Sequence, residues 1–171
     1  HHRVKNNFQM IASLLAMQAV LNMRASRLNE AEKCLVELEG KETDRGLVSW
    51  LRADYLRARG KPGEAIPHLE AALLSEDYDE YRKTLHFESA FAYAMAPALS
   101  KREQSDGMIR HLEDAIRLGD NPILHILKAY GWSLRGDAAQ FHAELAVAET
   151  QVAALSEPAA APARSFLTQW K

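Results

Sequence analysis

Cysteine is almost missing from the 171 residues: Cys34 stands alone, which excludes an intramolecular disulfide and a cysteine-built zinc or iron–sulfur centre. It is expected as a small core residue. No apolar run approaches the roughly 20 residues of a membrane-spanning helix, and no charged stretch followed by an apolar one reads as a signal peptide. A cytoplasmic protein is the default expectation, with a removed leader left open because the chain begins at His1. Charge bias is missing too. The 21 basic and 23 acidic residues leave no global field to favour nucleic acid or a membrane surface. Alternating β-branched residues, the mark of strands, are absent as well.

What is present is alanine, leucine, glutamate and arginine in periodic segments, with glycine and proline mainly between them, the composition of packed helices. An all-α fold follows. The segment LNEAEKCLVEL from Leu28 is similar to PGEAIPHLEAAL from Pro62, and aligning Ala31 with Ala65 gives an offset of 34 residues. In the second copy Ala53 and Ala65 are the close-contact residues, Leu56 and Leu69 the fillers, Gly60 the turn, and Ala72 closes the second helix. Ala19, Ala31, Leu35 and the turn residue Ser26 take these places in the first. A fourth copy starts at Pro122 and keeps Ala129, Trp132, Gly136, Leu145 and Ala148 in register, with Phe141 in place of a small residue. A third copy lies between Tyr81 and Gly119 if its loop is longer: Ala90 and Tyr93 on a helix ending near Pro97, then Leu112 and Ala115 on a helix capped by Ser105 or Asp106 and stopped by Gly119.

These residues, over roughly 12 to 150, resemble the tetratricopeptide repeat family. Arg52 departs from the pattern where leucine is common, and Asp77 stands where a proline often ends a unit. The resemblance implies a right-handed superhelix of antiparallel helical hairpins, an α-solenoid of about four units (12–40, 46–76, 81–119 and 122–150) within a domain covering 1–155. Residues 156–171, with Phe166, Leu167 and Trp170 on one short apolar face, are expected as a C-terminal cap or a docking segment. The family's usual function implies a scaffold or adaptor that binds a peptide or partner helix in a concave groove, and no enzyme. Its groove positions carry over to Trp50, Asp54, Arg57, Phe87, Phe91, Ile126 and Tyr130. Rings beside a few charges suit recognition, but they equally fill the inner curve of a short superhelix. Arg52, Arg57, Arg59 and Lys61 form a basic cluster that suits either an acidic peptide end or a solvated face.

The opening segment HHRVKNNFQMIASLLAMQA resembles the phosphoacceptor helix of a class of bacterial sensor histidine kinases. That resemblance implies His2 as phosphate acceptor, Arg3 and Lys5 as charge-offsetting cations and Asn6 beside the imidazole one turn on. A neutral imidazole can attack phosphorus, and nearby cations stabilise the developing charge. No nucleotide-binding segment follows, so autokinase activity is not expected; histidine phosphotransfer and dimerisation are. The competing reading makes the paired histidines the tail of a purification tag, and the rest a first repeat helix packing through Leu14, Leu15, Gln18 and Ala19.

The remaining chemistry is sparse. His68, His86, His111, His125 and His142 lack metal-ligand spacing and are expected as buried or half-buried structural residues, with no metal and no cofactor. Glu30 with Glu32, and Glu113 with Asp114, read as solvated faces. A protein or peptide partner is expected, with self-association through the N-terminal helix or the C-terminal segment as a further route.

Overall fold

The computed structural model describes residues 2–41 and 44–169, and side chains for 9–41, 44–76 and 78–169. Among the described residues the chain is all-helical, without strands. It forms α1 (His2–Arg24), α2 (Leu28–Glu39), α3 (Arg45–Ala58), α4 (Pro62–Leu73), α5 (Arg82–Met95), α6 (Lys101–Leu118), α7 (Pro122–Arg135), α8 (Ala138–Ala153) and α9 (Glu157–Thr168). A short 3-10 segment, Glu76–Tyr81, precedes α5. The helices divide into two compact units, residues 1–79 and 80–171.

In the first unit α1 pairs with α2 and α3 with α4, while α3 also packs on α1 and α2. The 34-residue offset reappears as burial. Ala19 and Ala53, Ala31 and Ala65, Leu35 and Leu69, and Leu38 and Ala72 are all fully buried. The turns match as well. Ser26 and Gly60 both adopt left-handed backbone, φ 56° and 73°. In each turn the next residue's N–H reaches back five residues, Arg27 to the Asn22 carbonyl at 2.8 Å and Lys61 to that of Leu56 at 2.9 Å. Such a closure satisfies carbonyls that a helix end otherwise leaves unpaired. Cys34 is half-buried, packed beside the core of Ala31 and Leu35.

In the second unit α5 pairs with α6 and α7 with α8, and α9 lies on α7 and α8. The α7–α8 turn repeats the same closure, with Gly136 at φ 78° and Asp137 N–H donating to the Trp132 carbonyl at 3.1 Å. The α5–α6 connection does not. Ala96 is extended, and α6 starts at Lys101, capped by Ser100 in a reciprocal box with Glu103. Ser105 and Asp106 are therefore not its cap: Ser105 is fully buried inside the helix. Gly119 does end it.

The expected cap is a helix in spite of its prolines. Pro158 lies in the first turn of α9, where a missing N–H costs nothing, and Pro162 is tolerated inside. Ala160, Ala163 and Leu167 bury against Ile126, Ala148 and Val152. Phe166 is instead exposed, so it does not share a face with Leu167. Trp170 lies outside the described residues.

Candidate functional site

The structure gives α1 two faces. One, from Ala12 through Leu15, Ala16, Ala19 and Met23, packs into the first unit's core. The other carries Met10, Leu14, Met17 and Leu21, all more than half exposed. Leu14 and Gln18, expected on the packing face, thus point outward. The outward residues are spaced four, three and four apart, the a/d spacing of a helix seam. His2, Arg3, Lys5 and Asn6 belong by backbone to the start of α1, but their side chains lie outside the described residues.

The groove positions separate by environment. In the first unit Trp50 is half-buried edge-on to Tyr78, ring centroids 5.8 Å apart, and Asp54 pairs with Arg57 one turn on. In the second unit the Phe87 and Phe91 rings pack tilted by 54° with centroids 5.0 Å apart, Phe91 being the more exposed. Tyr130 is half-buried beside the Ala90, Met108 and Leu112 core. Ile126 is only 3% exposed because α9 covers it, so it is a core residue and offers no groove surface.

The basic cluster is not a unit either. Arg52 is held between α2 carboxylates: NH1 donates to both Glu32 oxygens at 2.8 Å and Nε to Glu39 at 2.8 Å. It also lies 5.4 Å from the centre of the Tyr55 ring. Burial pushes the Glu32 carboxyl up, but hydrogen bonds from Arg52 and Tyr55 outweigh it and hold Glu32 below its ordinary value. Glu32 is thus a cross-helix tie and not a solvated face. Lys61 pairs with Glu64.

Two histidine clusters in the second unit link helices. His86 of α5 and His111 of α6 bring their Nδ1 atoms within 3.0 Å. The Arg110 guanidinium can only donate, so its 3.2 Å contact with His111 Nε2 leaves Nδ1 of that ring to carry the proton toward His86. His125 lies 2.7 Å from Glu144 and 2.9 Å from Asp120, and Lys128 bridges Glu144 at 2.8 Å and Glu113 at 3.1 Å. Burial lowers the Lys128 pKa, but these two carboxylates outweigh it and raise the value. Glu113 is therefore an ion-pair partner across helices. Asp114 pairs with Arg117. His142 is exposed, unlike His68, His86, His111 and His125. Among the described residues no group of three or more potential ligands could hold a metal, and no helix is long and apolar enough to cross a membrane.

Against known families, the model for HisKA_2, histidine kinase, matches residues 1–41, which contain α1 and α2. No curated protein and no solved structure matches the chain.

Proposed function

We propose that the chain is a histidine phosphotransfer and self-association element of a two-component signalling protein, with His2 as phosphate acceptor. The match of the histidine kinase family to residues 1–41 carries this reading. The exposed Met10, Leu14, Met17 and Leu21 seam supports its second half, since such a stripe is costly in water unless a partner helix covers it. Phosphate comes from a separate donor, the His2 imidazole displacing the donor's leaving group, and Arg3 and Lys5 offset the added charge. Labelling with acetyl phosphate or a kinase donor is expected to mark the wild type and not His2→Gln. Equal labelling of both overturns the assignment. Leu14→Glu with Met17→Glu, read by analytical ultracentrifugation, is expected to shift a dimer to monomer.

A second reading concerns the helices that follow. The matching burial and turn closure of the α1–α2 and α3–α4 hairpins support a tetratricopeptide-type repeat that docks a polypeptide. Trp50, Asp54 and Arg57 in one unit, and Phe87, Phe91 and Tyr130 in the other, are its contact candidates. A pull-down comparing wild type with a Trp50→Ala, Phe87→Ala, Tyr130→Ala variant of unchanged helicity is expected to lose partners. An identical set in both removes these residues from the reading.

A further inference from the structure

A cleft of about 500 Å³ opens within the first unit, where the end of α2 meets α3 and α4. That volume is in the range of small-molecule sites. Leu38 and Val48 give it an apolar wall, and the Glu39 carboxylate with Lys41, Arg45, Ser49 and His68 gives it polar atoms. The charges around it are unequal in availability. Arg52 is consumed by Glu32 and Glu39, and Lys41 stands 3.5 Å from Glu37. The neighbouring Asp44 carboxylate caps α3 through the Gly46 and Leu47 N–H groups and accepts from Tyr78. Among the described residues Arg45 makes no ion pair, and neither Ser49 nor His68 makes a side-chain hydrogen bond. Burial, with help from Arg52 and against Glu39, pushes His68 down, which favours the neutral ring with one donor and one acceptor. The cleft therefore combines the Glu39-bound Arg52, a guanidinium of Arg45 without an ion pair among the described residues, a hydroxyl and an imidazole with an apolar wall.

We propose that this cleft binds a small organic oxyanion, a carboxylate or phosphate monoester on an apolar body, with Arg45 and Ser49 on the headgroup and Leu38 and Val48 against the body. A guanidinium fork suits either headgroup, and the Arg45 charge suits one anionic group. The site does not involve His2 and needs no phosphoryl transfer, so it stands or falls separately from the phosphotransfer reading.

Calorimetric titration of the full chain with benzoate, phenyl phosphate, inorganic phosphate and benzyl alcohol at fixed ionic strength tests it. At least one of benzoate and phenyl phosphate is expected to saturate, the tighter one identifying the headgroup, while benzyl alcohol does not. Loss of a charge-assisted contact in Arg45→Gln is expected to weaken binding about tenfold. Arg45→Lys, which keeps charge but loses the fork, falls between. Arg24→Gln, a cation outside the cleft, stays within about twofold of wild type, the size of a weakly screened surface effect. The proposal is overturned if neither aromatic anion saturates, if Arg45→Gln binds like wild type, or if Arg24→Gln loses as much. Inorganic phosphate binding as tightly as phenyl phosphate removes the apolar wall from the site.

Discussion

The α3–α4 and α5–α6 hairpins solve one problem in two ways. Both place small residues at the helix crossing, Ala53 and Ala65 in one, Ala90 and Ala115 in the other, all buried. The first returns the chain in a three-residue link, 59–61, with Gly60 left-handed and Lys61 N–H closing on the Leu56 carbonyl. The second runs through Ala96 to Ser100 without left-handed backbone, and Gln104 Nε2 donates to the Ala96 carbonyl at 2.7 Å. Ser100 accepts from Glu103 N–H while the Glu103 carboxylate accepts from Ser100 N–H at 2.8 Å. A backbone conformation thus organises one turn and side-chain hydrogen bonds organise the other. The longer link also goes with a closer approach at Gly107, where a Cβ would overlap the Tyr93 ring.

That contrast can be broken most severely at Gly107. Gly107→Ala is expected to destabilise the chain by about 2 kcal/mol, because a packed ring has to move; urea denaturation reads it, and a loss under half of that means the hairpin has slack. The next effect is at the cap. Ser100→Ala removes both the acceptor for Glu103 N–H and a donor to its carboxylate, a loss of about 1 kcal/mol. It also carries a pH signature. The Ser100 side-chain and backbone hydrogen bonds hold the Glu103 pKa below its ordinary value, so their stabilisation is present above the unfolded-state value and fades as pH falls through the folded one. Ser100→Ala should flatten that acid-side slope, measured as the denaturation midpoint between neutral and acidic pH. Gly60→Ala has no such slope and is expected to cost about 1 kcal/mol through backbone strain alone. The smallest change is in the opposite direction. Ser26 holds a left-handed φ without being glycine, so Ser26→Gly is expected to stabilise by about 0.5 kcal/mol, the strain relieved less the added freedom of the unfolded chain. A loss of stability there would show that the Ser26 side chain makes a contribution which outweighs its strain.

The repeated hairpin is legible because its determinants are local and recur at a fixed offset. Ala31 with Ala65 and Leu35 with Leu69 follow from spacing alone, and Ser26 with Gly60 marks the turns. The start of α6 is misplaced in the sequence reading at Ser105 or Asp106, although Ser100 and Glu103 carry the serine-to-glutamate spacing of a capping box. Ser105 and Asp106 draw attention away from it, as cap-forming residue types that in fact sit inside the helix. The histidine motif at His2 is a contiguous pattern, which is why a family match and a reading of residues meet on the same segment. By contrast, the role of Ile126 depends on α9 folding back over α7, and no periodicity within α7 records that cover. The Arg52 ties to Glu32 and Glu39 join residues 20 and 13 positions apart, and His86 meets His111 across 25. Nothing in the local pattern pairs them.

The outward seam of α1 shows where the boundary lies. Met10, Leu14, Met17 and Leu21 are visibly apolar in the sequence, but so are Leu15, Ala16 and Ala19 beside them. Helical periodicity alone cannot say which stripe is covered when apolar residues occupy most of the helix. By itself the sequence determined that the chain is helical, that its hairpins recur and which small residues stand at their crossings, because helix propensity, capping and turn backbone act over a few residues. Only the tertiary structure decided which α1 stripe is exposed, that Ile126 is buried, and that Arg52 is tied to Glu32 and Glu39. Burial and charge pairing depend on groups brought together from distant positions, and their energies exist only once the helices have packed.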